Sequence, residues 1–276
     1  VRSGTSWSQQ AKLVASDAAG QDYFGKSVSI SGDYALVGAQ YDDDGGSASG
    51  SAYIFIRDGT SWSQQAKLVA GDAAANDNFG ESVSISGDYA LVGAQYDDDG
   101  GTSSGSAYTF VRSGTSWSQQ AKLVASDAAA NDNFGKSVSI SGDYAVVGAH
   151  QDDDGGSSSG SAYVFKIAAL QNAKLVASDR ASGDQFGFSV SISGDYAVVG
   201  AKGDDDGGGQ SGSAYIFVRD GTSWSQQAKL VADDAASGDN FGWFVSISGD
   251  YALVGAQWDD DGGSNSGSAY IFIRDG

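Results

Sequence analysis

Phe24-Gly25-Lys26-Ser27-Val28-Ser29-Ile30-Ser31-Gly32-Asp33-Tyr34-Ala35-Leu36-Val37-Gly38-Ala39 is the stretch on which the fold turns. Ser27 to Ser31 alternates polar and apolar residues with period two, and Tyr34 to Ala39 is a short apolar run, so both halves read as β-strands. Ser31-Gly32-Asp33 between them has the length and the glycine of a hairpin turn. Working outward, Ser51 to Ile56 and Trp62 to Ala70 supply two more strands, joined at Asp58-Gly59. The expected unit is therefore four strands: A from about Lys26 to Ser31, B from Tyr34 to Ala39, C from Ser51 to Ile56 and D from Trp62 to Ala70. No stripe with a period of 3.6 residues is long enough for a helix.

The unit recurs. Phe-Gly stands at Phe24, Phe79, Phe134, Phe186 and Phe241, in steps of 55, 55, 52 and 55 residues. The short step arises where Lys166 to Asn172 replaces the ten-residue stretch seen from Val111 to Gln120. Repeats of this length with four antiparallel strands and recurrent glycine and aromatics predict an all-β, five-bladed β-propeller of four-stranded antiparallel blades. The expected single domain spans 1–276, with blades at about 24–70, 79–125, 134–177, 186–232 and 241–276 plus 5–15. Residues 1 to 15 supply only a strand D, and the last unit stops after its strand C. The ring is therefore expected to close when the N-terminal strand completes the last blade. A seven-bladed ring would need two further repeats outside this chain.

Phe-Gly, then Val37-Gly38-Ala39, then Gly50-Ser51-Ala52-Tyr53-Ile54-Phe55 resembles the FG-GAP repeat of integrin α-subunit propellers and of many bacterial extracellular proteins. The resemblance covers all five units and is nearest the bacterial form, in which a K-L-x-A-x-D segment precedes Phe-Gly. It implies a secreted or cell-surface protein that binds an extracellular protein or polysaccharide. The integrin calcium hairpin lies between Phe-Gly and Gly-Ala, where this chain has only the Ser-Gly-Asp turn, so that site does not transfer to Asp33 and its equivalents.

The composition narrows the function. Of 276 residues, 41 are Gly and none is Pro, Cys or Met, so disulfides, thiolate metal sites and cysteine nucleophiles are excluded. A net charge of -20 opposes binding to phosphate backbones or anionic lipid, which excludes nucleic acid as a partner. No apolar run reaches the length of a membrane span and no basic-then-apolar leader opens the sequence, so no membrane insertion is expected and the chain reads as processed or cut. Glu81 is the only glutamate and His150 the only histidine, and no nucleophile motif is present. Neither an acid–base pair nor a triad can be assembled from these, and the expectation is that the protein is not an enzyme.

Strand alternation sends the B-to-C loop and the D-to-A crossover to one face of the blades. Five carboxylates per unit gather there, and oxygen-only, glycine-containing loops suit a hard cation such as calcium. The candidate metal ligands are Asp42 and Asp44, Asp97 and Asp99, Asp152 and Asp154, Asp204 and Asp206, and Asp259 and Asp261 in the acidic loops. From the crossovers come Asp17 and Asp22, Asp72 and Asp77, Asp127 and Asp132, Asp179 and Asp184, and Asp234 and Asp239. The competing explanation is that these are solvated acidic turns. The opposite face receives Arg57, Arg112, Lys166, Arg219 and Arg274 at the ends of strands C.

Tyr41, Tyr96 and Trp258 immediately precede acidic loops and are candidate sugar-stacking residues, which makes a multivalent carbohydrate-binding lectin the alternative function. The equivalents of Phe24 are expected as wedges between blades, and the strand D tryptophans as cover for the outer blade surface. The residues that break the repeat are His150, Arg180, Phe188, Lys202, Trp243 and Phe244, and they form no recognisable catalytic set. The open ends allow a third reading, a structural subunit in which one molecule's N-terminal strand completes the last blade of the next, head to tail. The protein is then either a monomer or a self-associating chain. The leading expectation is a non-enzymatic extracellular recognition or adhesion scaffold with divalent-cation-binding acidic loops.

Overall fold

The structure, a computed structural model, describes residues 2–3, 5–167 and 171–275. A short hairpin of β1 (Arg2–Ser3) and β2 (Ser6–Trp7) opens the chain. The first blade follows as β3 (Val28–Ser31), β4 (Tyr34–Ala39), β5 (Ser51–Asp58) and β6 (Ser61–Leu68). The second holds β7 (Ser82–Ser86), β8 (Tyr89–Ala94), β9 (Ser106–Ser113) and β10 (Ser116–Leu123). The third holds β11 (Phe134–Ser141), β12 (Tyr144–Ala149), β13 (Ser161–Lys166) and β14 (Gln171–Leu175), with residues 168–170 of the replaced stretch outside the described residues. The fourth holds β15 (Phe186–Ser193), β16 (Tyr196–Ala201), β17 (Ser213–Asp220) and β18 (Ser223–Leu230). The fifth has only β19 (Phe241–Ser248), β20 (Tyr251–Ala256) and β21 (Ser268–Ile273). Each sheet is an antiparallel meander in chain order.

The sequence explains the layering. Strands of the β4 type are central and buried on both faces, which is why Tyr-Ala-Leu-Val-Gly-Ala is nearly all apolar. Strands of the β6 type lie at the outer edge, and Ser-Trp-Ser-Gln-Gln-Ala-Lys-Leu alternates instead. The register there skips Gln65 between Ala66 and Gln64, a β-bulge, and the displaced Gln65 accepts a hydrogen bond from Trp117 Nε1 of the next blade at 2.9 Å.

Consecutive blades pack face to face through small apolar clusters. Leu36 and Ile54 meet Val83 and Ile85, and Leu91 meets Val138 and Ile140. Val146 and Val164 meet Val190 and Ile192. The two glycine motifs that mark the repeat exist because backbones touch here. Gly80 holds a φ of 95° and its carbonyl accepts from Ser27 Oγ at 2.8 Å. A Cβ on Gly38 would overlap that same carbonyl oxygen.

The expected ring closure is not found. No sheet closes on itself, the fifth sheet keeps three strands, and among the described residues nothing pairs with the free edge of β21. The N-terminal segment packs instead on its own first blade, where Ala15 joins Ala35 and Val37 and Gln10 accepts from Trp62 Nε1 at 2.9 Å. Both ends of the array are open. Val28 and Ile30 are 70% and 67% exposed, against 8% and 5% for Val83 and Ile85. Leu253 and Ile271 are 45% and 72% exposed, where Leu36 and Ile54 are fully buried. The physical reason is local. Gln10, Leu13 and Ala15 already sit on the first blade, so completing the fifth would require that blade to move with them.

Candidate functional site

The B-to-C loop begins where β4 ends, and its first aspartate turns inward. Asp42 is 3% exposed, and its carboxylate accepts from Asp44 N at 3.1 Å, Ser51 Oγ at 3.0 Å and Tyr53 OH at 2.8 Å. Asp43 points outward and accepts from Ala48 N at 2.7 Å, which tightens the loop. Asp44 turns back toward Asp42, and Asp17 from the crossover completes a triad whose carboxylate oxygens lie within 4.8 Å of one another. The same triads form from Asp72, Asp97 and Asp99, from Asp127, Asp152 and Asp154, from Asp179, Asp204 and Asp206, and from Asp234, Asp259 and Asp261.

Four of these triads already enclose a cation that belongs to the chain. Lys67 Nζ lies 2.8 Å from Asp17, 3.0 Å from Asp42 and 2.5 Å from Asp44. Lys122 makes the same contacts with Asp72, Asp97 and Asp99 at 2.8, 2.8 and 2.5 Å. Lys174 and Lys229 do so in the third and fourth blades. Burial works against ionisation of Asp42, but the hydrogen bonds from Tyr53 and Lys67 outweigh it and hold the carboxyl below its usual range. The hydrogen bond from Lys67 likewise lowers Asp17. Burial alone would lower Lys67, and its hydrogen bonds to Asp17 and Asp44 raise it instead, so the ammonium stays charged.

The lysine was missed in the sequence, although a signal was present. It follows the first loop aspartate by 25 residues, or by 22 in the short repeat, and strand register sets Lys67 opposite Tyr53. A tripod of carboxylates around an ammonium leaves little for a metal to do, so these four triads do not fit a resident divalent ion.

The fifth triad differs because its sheet has three strands among the described residues. No lysine reaches Asp234, Asp259 and Asp261 among the described residues. Asp259 is held below its usual range by the hydroxyl of Tyr270, whereas repulsion from Asp259 and Asp234 raises Asp261. Three oxygen donors with uncompensated charge fit a hard cation.

The other expected ligands lie outside the triads. Asp22, Asp77, Asp132, Asp184 and Asp239 are buried in the crossover turns and accept the backbone N–H three residues earlier, at 2.6 to 2.7 Å. Burial pushes Asp77 and Asp132 up to about 6, opposed by those amides. They are turn caps and not part of the cluster. On the opposite face Arg57, Arg112, Arg219 and Arg274 pair with Asp33, Asp88, Asp195 and Asp250 of the neighbouring hairpin turn.

The aromatic candidates are half-exposed. Tyr41 and Tyr96 line one shallow groove together with Asn76, Asn78 and Asp98, and Trp258 stacks on Trp243 at 6.0 Å. Trp243 is also one of four repeat-breaking residues that assemble together. Lys202 Nζ lies 4.5 Å from the ring centres of both Phe188 and Trp243, and His150 meets Phe188 edge-on at 5.4 Å. Burial, with Lys136 and Lys202 nearby, pushes His150 down to about 3, so it is neutral and no general acid at ordinary pH.

The model of the FG-GAP repeat matches residues 7–55, 62–110, 117–165, 170–217 and 224–272. No curated protein matches the chain. Among solved structures, that of the computationally designed Ika4 protein aligns over 76% of this chain and 99% of its own, with 14% identity and a TM-score of 0.44. A likeness of that size carries no argument about fold closure or function.

Proposed function

The chain belongs to the FG-GAP repeat family, and on that premise we propose that this non-enzymatic repeat scaffold serves extracellular recognition or adhesion and takes a single divalent cation, calcium, at Asp234, Asp259 and Asp261. The observation that carries the cation reading is the contrast between triads: four are neutralised by a lysine ammonium and the fifth is not. The expectation of calcium in every blade is thereby narrowed to one. Calcium prefers 6 to 8 oxygens, and the flanking loop Asp259-Asp260-Asp261-Gly262-Gly263 can add backbone carbonyls to the carboxylates. Binding to the folded state alone stabilises it by mass action, about 2.7 kcal/mol at 100 times the dissociation constant. The test is the calcium-dependent rise in melting temperature at matched ionic strength. Asp259→Asn should abolish it and Asp97→Asn should leave it in place; the reverse pattern would remove the assignment.

A carbohydrate-binding role is favoured by one observation, the shared groove of Tyr41 and Tyr96 with amide and carboxylate groups beside the rings. Tyr96→Ala should then weaken glycan retention without altering stability. Absence of any glycan binding by the unaltered chain would end this reading.

A further inference from the structure

The five units are nearly identical, so the positions at which they part point to a role that the common packing does not need. Phe-Gly and the later Val-Ser-Ile-Ser are the same in every copy, yet the residue directly after Phe-Gly is Lys26, Glu81, Lys136, Phe188 or Trp243. The residue after Gly-Ala changes too, from Gln40 and Gln95 to His150 and Lys202. Both positions lie at the end of the blade from which the acidic loops leave, one at the start of strand A and the other just after strand B. The structure gathers the changed residues. Lys26, Glu81, Lys136, Phe188 and Trp243 border one cavity of about 460 Å³ that strand A of every blade lines, a size that suits a small molecule.

One side of the cavity is charged and the other aromatic. Lys26 and Lys136 lie 3.5 and 3.1 Å from the same buried carboxylate, that of Glu81. Lys202 is a third ammonium, and among the described residues it pairs with no carboxylate; burial, then the charge of Lys136, pulls it below its usual range. Three ammoniums against one carboxylate leave positive charge to spare here, in a chain whose net charge is -20. Phe188 and Trp243 meet edge to face at 5.1 Å, and Trp258 stacks on Trp243. Lys136 Nζ lies 5.6 Å from the Phe188 ring centre and Lys202 Nζ 4.5 Å from both rings. Against Phe188 stands His150, buried, its Nδ1 without a hydrogen-bond partner among the described residues.

We propose that this cavity binds a small organic anion of the aryl-carboxylate class, its ring against Phe188 and Trp243 and its carboxylate on Lys136. Aromatic walls by themselves would suit a cation, but Lys202 already supplies that charge to both rings, and an incoming cation would meet three ammoniums. A carboxylate attached close to a stacked ring comes within reach of an ammonium and gains a charge-assisted hydrogen bond. A polyanion is opposed by the acidic loops that leave the blades at the same end, whereas a small monoanion offers them little charge to repel. Glu81 competes with the ligand for Lys136, so it limits the affinity while holding the ammonium in place. The assignment rests on neither calcium nor the groove of Tyr41 and Tyr96.

The test is calorimetric titration of the unaltered chain, in chelator, with phenylacetate, with acetate and with 2-phenylethylammonium. Phenylacetate should bind with a Kd of about 1 mM or tighter. Acetate, which lacks the ring, and phenylethylammonium, which reverses the charge, should each bind at least about tenfold more weakly. Lys136→Met and Trp243→Ala should each weaken phenylacetate binding about tenfold or more. Glu81→Gln keeps the shape of the side chain and frees both lysines of their counter-ion, so it should tighten binding about tenfold, an effect that a merely structural carboxylate would not produce. Should Lys136→Met fail to fold, the three-ligand comparison and Glu81→Gln decide. The proposal is overturned if phenylacetate does not bind at about 10 mM, if phenylethylammonium or acetate binds as well, or if Glu81→Gln leaves the affinity unchanged or lowers it. Full affinity in a folded Lys136→Met or Trp243→Ala chain would overturn it too.

Discussion

Replacing Lys122 by methionine keeps the length and packing of the side chain and removes only the charge at the centre of the second triad. Its ammonium sits 2.8 Å from Asp72, 2.8 Å from Asp97 and 2.5 Å from Asp99, with Asp97 almost wholly buried. At an effective dielectric of about 20, each such contact is worth about 6 kcal/mol in Coulomb energy, and a carboxylate pair 4.8 Å apart costs about 3.5 kcal/mol. Desolvation of the lysine offsets much of the attraction. What the methionine chain retains is mainly the repulsion, relieved in part by proton uptake and water. Removing one partner of a buried pair costs about 3–5 kcal/mol in general, and the second triad should fall near the lower figure because Asp99 is largely exposed. Denaturant unfolding in chelator at neutral pH should therefore show a loss of about 3 kcal/mol. Melting temperature should fall by several degrees. Lys122→Met also turns the second triad into a copy of the fifth, so calcium should restore part of the loss in this variant. Unchanged stability without calcium, or a loss that calcium leaves untouched, would refute the view that the ammonium stands where a cation is needed.

Three further outcomes follow from named residues. Asp77 and Asp132 have folded pKa values of about 6 against 3.8, so the folded chain holds protons that the unfolded chain has released. Their effect on stability is most favourable below 3.8 and is lost as pH rises through 6; Asp77→Asn should raise the urea midpoint above that value and flatten the slope. Asp17, Asp42, Asp72, Asp127 and Asp179 are lowered, so the stability they add is present above 3.8 and is lost as pH falls below it. Gly148→Ala places a methyl against the Gly187 carbonyl and should cost about 3 kcal/mol, whereas Gly255→Ala, with no atom nearer than 3.8 Å, should fold with unchanged stability. His150→Gln should leave stability within about 1 kcal/mol, and the native ring should show no titration by NMR near pH 6.

The strands were readable in the sequence because period-two alternation and the Ser-Gly-Asp turn act over a few residues. Tyr34 to Ala39 is a strand from end to end, and Ser51 begins its strand as expected. Closure was not readable in the same way. The complementarity of residues 6–13 with the last blade is a property of the repeat, and repeat identity does not say whether strand and blade meet in one molecule. The acidic loops were legible as clusters, yet their neutralisation was not, because Lys67 lies on an edge strand and reaches Asp42 only through the register of β6 on β5. The caps at Asp22 and its equivalents look like ligands by composition. Only the backbone amide three residues earlier shows that one of their oxygens is already used.

The number of calcium ions bound is the most direct test of how the acidic face is built. Calorimetric titration of the unaltered chain should give one site, lost in Asp259→Asn and joined by a second in Lys122→Met. Five equivalent sites would mean that lysine does not hold the other four triads, and no site in any of the three chains would mean that the aspartates are solvated turns alone.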